Sequence, residues 1–474
     1  MKINFVYDVL GPTQPIDNGF IPKYYNYFWN SSMNLFDDKS NASLQKETTI
    51  KYFGAGILTN LDYSVKSIND IDGTEKEINL IPISTSGDYY SSLGIELDNN
   101  RKYLKGKSVF NFLSQTMKSK LNSIKNLYIF YEHQGEPYFD TELIHHIYKE
   151  VTNNSIRMSK VLIVNGCNSN DFLLKQYQEH YSNYKNIKLI DFTWAIPFKA
   201  LEIRSKLGLR KFHNVNNTTI CNINHLNLKK EKKALFLNRR LRYHRLCLLS
   251  YMEIDNLLDN TLHSFDMSLN LYPNIIDIID SKIKGDDTVG LPFNLKTVEE
   301  LKKLRNGITS LNVKNKMILD YDNLHEVHGY GMETKELYEK TFFSIVTETE
   351  YSQHQQSITE KIIKPIMHCH PFIVFGSPNS LKTLKKYGFK TFDKWWDESY
   401  DDEIDDYNRF YKFYNILNLL LNKSHDEWVV LINEMKEILE YNQKLLISMD
   451  ENYFIKEFSK NLEDIIYNNK KTLF

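Results

Sequence analysis

The stretch that most constrains how this chain can fold covers residues 343–392, FSIVTETEYSQHQQSITEKIIKPIMHCHPFIVFGSPNSLKTLKKYGFKTF. Its two compact runs, 343–347 and 371–376, are apolar without alternation, which is the pattern of strands buried on both faces of a parallel sheet. Between them, Ser357-Ile358-Thr359-Glu360 has the form of a capping box and opens a helix whose apolar positions are Ile358, Ile362, Ile363 and Ile366. Pro365 should kink or shorten that helix. After Gly376, Ser377-Pro378 suits a cap and a first-turn proline, and Gly388 suits the residue that closes the next helix. The outcome is a strand–helix–strand–helix unit with its polar residues at strand ends and helix starts, where open α/β sheets bind ligands.

The same alternation occurs earlier. Strands are expected at 127–131, 161–164 and 187–190, with helices at 141–150 and 171–181, and this order implies a second parallel sheet. A polar, then basic stretch at 214–233 reads as a linker, and 234–237 as the first strand after it. A short strand is expected at 317–319. We therefore expect an α/β protein with a Rossmann-like domain at 1–228, another at 229–425, and C-terminal helices at 426–474. The stripes Trp428, Leu431, Ile432, Met435, Ile438, Leu439 and Phe454, Phe458, Leu462, Ile465 mark those helices, and packing back across the domains is expected of them. At 474 residues the chain is long enough for two cores.

A net charge of −1 excludes a globally basic nucleic-acid binder. Cys167, Cys221, Cys247 and Cys369 form no CxxC or Cys/His cluster, which points to a reducing compartment and no structural zinc. The opening Lys2 to Tyr7 is too short and polar for a signal peptide, and nothing approaches the roughly twenty apolar residues that span a bilayer. The triplets Asp70-Ile71-Asp72 and Asp320-Tyr321-Asp322 are short enough to arise by chance in so aspartate-rich a chain. Neither G-x-G-x-x-G nor a P-loop occurs, which argues against an NAD enzyme or a P-loop ATPase.

Thr347-Glu348 at a strand end, then a polar loop, then Ile358-Thr359-Glu360-Lys361-Ile362 and a strand ending in Gly376, resembles the donor-binding segment of the α-1,3-fucosyltransferase family. The likeness covers about fifty residues well. It implies the GT-B arrangement, two Rossmann-like domains facing a cleft, and transfer of a sugar from a nucleotide-sugar, GDP-fucose or a similar donor. The loop Gln353-His354-Gln355-Gln356-Ser357 departs from the family, lacking its acid and aromatic pair. Eukaryotic fucosyltransferases usually carry a membrane anchor, so the resemblance implies a bacterial or viral version acting in the cytoplasm.

Such an enzyme must hold a diphosphate, hold a nucleoside and deprotonate an acceptor hydroxyl. Arg239, Arg240, Arg242 and Arg245 follow the strand at 234–237 and suit the first task, since guanidinium groups contact phosphate in pairs and offset leaving-group charge without a metal. The plain alternative is a solvated basic helix face. Glu360 suits ribose hydroxyls and Lys361 a phosphate, with Thr359 beside them and Glu348 as a weaker partner. Glu360 could equally be only a cap. For the base, Glu136 in Gly135-Glu136-Pro137 looks faintly like the family's glutamate turn. Glu132, His133, Asp8 and Asp17 compete with it, and for any single one of these residues, Glu136 included, a solvated loop position is the more common reading.

These expectations make the partners a nucleotide-sugar donor and a hydroxyl acceptor on a glycan or, in a viral setting, a modified base in DNA. No cofactor or metal is expected. The rival expectation is a non-catalytic nucleotide-binding or virion-associated protein that keeps the fold.

Overall fold

The computed structural model describes residues 2–7, 63–74, 76–84, 96–97, 103–105, 110, 113–133, 141–165, 187–191, 220–238, 240–270, 272–286, 291, 295–319, 335–352 and 358–467, with isolated positions at 179, 196, 200, 203, 204 and 207. The expected helix at 171–181 apart from position 179, the second aspartate triplet and the residues Asp8, Asp17, Glu136 and Arg239 lie outside these described residues. The chain forms two compact units, Met1–Leu201 with Met449–Phe474, and Glu202–Ser448. The sequence put the first boundary at 228/229 and started the helical tail at 426.

In the first unit the strands are β1 (Ile3–Tyr7), β2 (Tyr63–Ser67), β3 (Ile78–Ser84), β6 (Leu127–His133), β7 (Val161–Asn165) and β8 (Lys188–Asp191). They pair in the order β2-β1-β3-β6-β7-β8, all parallel. The short pair β4 (Glu96–Leu97) and β5 (Tyr103–Lys105) is antiparallel and separate. Helix α1 (Gln115–Ser123) is capped by the Ser114 hydroxyl, which accepts from the Met117 amide, and buries Met117 and Leu121. With Ile144, Ile147 and Val151 of α2 (Thr141–Asn153), these residues pack on the face carrying Ile81, Ile129, Tyr131 and Ile163. Alternation along a strand sends Phe130 to the opposite face. There its ring meets Phe458 of the last helix edge-on, 5.6 Å between centroids.

In the second unit the strands are β9 (Lys232–Asn238), β10 (Thr261–Asp266), β11 (Lys316–Met317), β12 (Thr341–Thr347) and β13 (Phe372–Phe375). Their order is β11-β10-β9-β12-β13, parallel except for β11. All seven residues of β12 and all four of β13 are buried, as their unbroken apolar runs demand. Helix α3 (Tyr243–Ile254) connects β9 to β10; α4 (Ile275–Ile283) and α5 (Val298–Lys314) lead to β11. Helix α5 begins with a full capping box, Thr297 and Glu300. It packs so closely on α3 that a Cβ on Gly307 would sit 2.5 Å from the Ser250 carbonyl oxygen. Helix α6 (Lys335–Glu339) precedes β12, and α7 (Glu360–Met367) connects β12 to β13. The remaining helices are α8 (Ser380–Lys386), α9 (Asp406–Asn422), α10 (His425–Ser448) and α11 (Glu451–Tyr467), the last belonging to the first unit, where it packs on β8. Among the described residues no helix is long and apolar enough to cross a membrane.

The expected α/β class is present, with two Rossmann-like parallel sheets and C-terminal helices. Three local readings change. Helix α7 is capped by Thr359, not Ser357, so Glu360 is its first residue. Asn379, in the left-handed region at φ 65°, caps α8 in place of Ser377, and the Asp401 carboxylate accepts from the Leu381 and Lys382 amides of its first turn. The strand expected at 317–319 is instead the two-residue β11, antiparallel to β10.

Candidate functional site

The connections fix where the second sheet opens. The path β9–α3–β10 leaves the centre of the sheet toward one edge, and β12–α7–β13 leaves toward the other. β9 and β12 are neighbours, so their carboxyl ends flank a topological switch point, the place where such sheets leave a crevice. A crevice of about 490 Å³ lies there. From the β9 side it is lined by Asn238, Arg240, Arg242 and Arg245, and from the β12 side by Thr347, Thr349, Glu360, Lys361 and Lys364. The rest of its wall includes Leu235, Leu237, Ile345, Val346, Tyr338 and Pro365.

The arginines that the sequence presents alike have different surroundings. Arg245 is buried, and its guanidinium donates to backbone carbonyls, Arg240 at 3.0 Å, Thr347 at 3.2 Å and Glu348 at 2.7 and 3.2 Å. Burial pulls its pKa down to about 10, so it stays charged at neutral pH. It works as a clamp on the end of β12. Arg242, the N-cap residue of α3, pairs with Glu350 at 2.7 Å. Arg240 is exposed, and its side chain makes no hydrogen bond or ion pair among the described residues. Among the described residues no side chain caps α3, so the positive end of its dipole adds to the field of these cations.

On the opposite wall, Glu348 is fully buried and does not line the crevice. Its carboxylate accepts from the Thr359 amide at 3.2 Å and hydroxyl at 2.5 Å. Burial raises its pKa against the opposing pull of Lys361. Gly376 is glycine for a local reason: a Cβ there would stand 3.0 Å from the Glu348 Cβ. The Lys361 ammonium donates to Thr349 Oγ1 at 2.9 Å, Thr359 Oγ1 at 3.1 Å and Glu360 Oε1 at 3.0 Å. Burial acts to raise the Glu360 carboxyl, but Lys361 and Lys364 outweigh it and hold the group at about 2. With 27% of its side chain exposed, this fixed anion is open to the crevice.

Two buried side chains keep the strand ends in place. His244 is neutral, pushed well below its ordinary pKa by burial; it contacts the Glu348 carbonyl at 3.1 Å and stacks on Tyr351. Arg409 of α9 lies over the Tyr351 ring at 4.2 Å and donates to the carbonyls of Gly376 and Tyr351.

Thus Arg240, Arg242, Arg245, Glu360 and Lys361 share one crevice, while Glu348 and Thr359 stand behind it. Glu132 lies in β6, in register with Ser84 and Val164 in the other unit. Of the aspartate triplets, Asp72 is exposed and accepts from Thr74. Asn238, Thr349, Ser264 and Lys364 also line the crevice and were not singled out from sequence. Asn238 ends an apolar strand and Lys364 is one turn beyond Glu360, both readable signals. Among the described residues, no group of three or more His, Cys, Asp or Glu is placed to hold a metal ion.

The molecule is therefore an α/β protein of two Rossmann-like units, with a charged crevice at the switch point of the second. No protein-family model and no curated protein matches the sequence. Among solved structures, an α,α-trehalose-6-phosphate synthase from Burkholderia multivorans aligns at 8% identity and TM-score 0.39, over 99% of this chain and 97% of that one. A UDP-forming α,α-trehalose-phosphate synthase from Burkholderia vietnamiensis aligns at 10% and 0.37, over 94% and 87%. An α1,3-fucosyltransferase aligns at 11% and 0.28, over 99% and 91%. Likeness this slight assigns no activity to the present chain, and the fold described above rests on its own strand order.

Proposed function

We propose that this chain is a glycosyltransferase that takes its sugar from a nucleotide-sugar held at the switch point of the second unit. The observation that carries the reading is the convergence of Arg240 and Arg242, following β9, with Glu360 and Lys361, opening α7, on one crevice of about 490 Å³. Arg240, Arg242 and Lys361 take the diphosphate, and their charges offset that of the leaving group without a metal. Glu360, ionised throughout the neutral range, accepts from ribose hydroxyls. The apolar wall of Leu235, Leu237, Tyr338 and Pro365 takes the base. Transfer, beyond binding, is supported by the resemblance of residues 343–392 to the fucosyltransferase donor segment. The acceptor is a hydroxyl on a glycan, and Glu136 is the first candidate for its base, ahead of Glu132 and Asp8.

The test is a melting-temperature panel with UDP, GDP, CDP and ADP and their common sugars, with and without manganese, followed by assay of nucleotide release from whichever sugar donor binds. One nucleotide class should raise the melting temperature without metal, and its sugar donor should release the nucleoside diphosphate. Stabilisation only with manganese would contradict the metal-free chemistry. No stabilisation by any nucleotide would contradict the reading as a whole.

A further inference from the structure

The pair Arg242–Glu350 stands out because it occupies a crevice cation. Arg242 lines the crevice and leads into α3, and Glu350 comes two residues after Glu348, the residue that follows β12. Their 2.7 Å contact bridges the two sides of the switch point, with only 19% and 12% of the side chains exposed. An ion pair this sheltered is poorly screened by salt. A phosphate arriving at Arg242 meets a guanidinium already engaged and a carboxylate within reach of its own oxygens.

Resting on the donor-binding reading above, we propose that Glu350 is a resident counter-anion, holding Arg242 while the crevice is empty and yielding it to a phosphate oxygen when the donor enters. Its charge then opposes binding in two ways. The existing pair must be given up, and the displaced carboxylate remains near the incoming dianion. Removing the charge while keeping a hydrogen-bond acceptor should therefore strengthen binding. A merely orienting role for Glu350 predicts the opposite sign, because Arg242 would lose its positioning partner. The arrangement also favours ligands carrying two phosphate groups, since a second anion at Arg240 helps offset the exchange.

The experiment is calorimetric titration of UDP, GDP, CDP and ADP into the parent chain, Glu350→Gln, Arg242→Gln and the double variant, with thermal melts confirming that each is folded. Glu350→Ala serves if the Gln variant does not fold. Glu350→Gln should bind about tenfold tighter, Arg242→Gln should bind more weakly, and the tightening should shrink when Arg242 is absent, because only the repulsion is then relieved. Unchanged or weaker binding by Glu350→Gln, beside a parent chain that binds, overturns the counter-anion while leaving the donor site standing. Tightening that is undiminished without Arg242 overturns it too. A parent chain that binds none of the four removes the donor-site reading, and this inference with it.

Discussion

Glu348, the residue that follows β12, accepts both the amide and the hydroxyl of Thr359, so the end of one strand sets the first turn of the helix that leads to the next. That link crosses eleven residues of chain and makes Glu348 an organiser of the crevice wall. Glu348→Ala should lower unfolding free energy by about 2–3 kcal/mol, because the Thr359 donors lose their buried acceptor. Denaturant melts check it. A loss under about 0.5 kcal/mol would mean that the carboxylate does not hold α7.

Gly376→Ala probes the same joint from the other side. The added methyl carbon would meet Glu348 Cβ at 3.0 Å, Glu348 Cγ at 3.2 Å and Ser380 Oγ at 3.3 Å. These neighbours are buried, so an overpacking cost of about 1–3 kcal/mol is expected in chemical denaturation.

Arg245 and Arg240 should separate cleanly. Arg245→Met strips the charged donor from the carbonyls of Arg240, Thr347 and Glu348 and should cost about 2–4 kcal/mol of stability. Arg240→Gln touches an exposed side chain and should change stability by under about 0.5 kcal/mol. Urea unfolding of both variants decides the matter; equal losses would contradict the division of roles.

Stability should carry a pH signature from Asp401. Burial raises this carboxyl to about 7, against an ordinary value of 3.8, even though two amides of α8 donate to it. Between about pH 4 and 7 the folded chain keeps a proton that the unfolded chain has released, so this residue's contribution falls as pH rises through that window. Asp401→Asn should lose that part of the slope. Melts of both proteins at pH 5 and pH 8 test this, and identical slopes would contradict it.

The parts of the fold that could be read from sequence were those fixed by burial. The runs at 343–347 and 371–376 are continuous because β12 and β13 are covered on both faces, and the stripe Phe454, Phe458, Leu462, Ile465 is buried along α11. Helix starts were misread where a distant side chain decides them. Ser357 fits a capping box, but Glu348 holds Thr359 at the cap. Ser377-Pro378 suits a cap and a first-turn proline, but Asn379 is the cap and Asp401 accepts from the first turn of α8. The acidic run at 401–406 provides that capping carboxylate, the Asp405 cap of α9 and the Asp406 partner of Arg409. The arginine run showed where charge gathers, but not that Arg245 faces carbonyls, that Arg242 faces Glu350, or that Arg240 faces the crevice. Those distinctions depend on the end of β12, about a hundred residues further along the chain.

The most direct test of the donor crevice is calorimetric titration of UDP, GDP, CDP and ADP into the parent chain, Arg240→Gln and Glu360→Ala, all at one salt concentration. We expect the parent to bind one of the four, and both variants to bind it at least about tenfold more weakly with melting temperatures near the parent's. Parent-like affinity in both variants would contradict a donor site between β9 and β12.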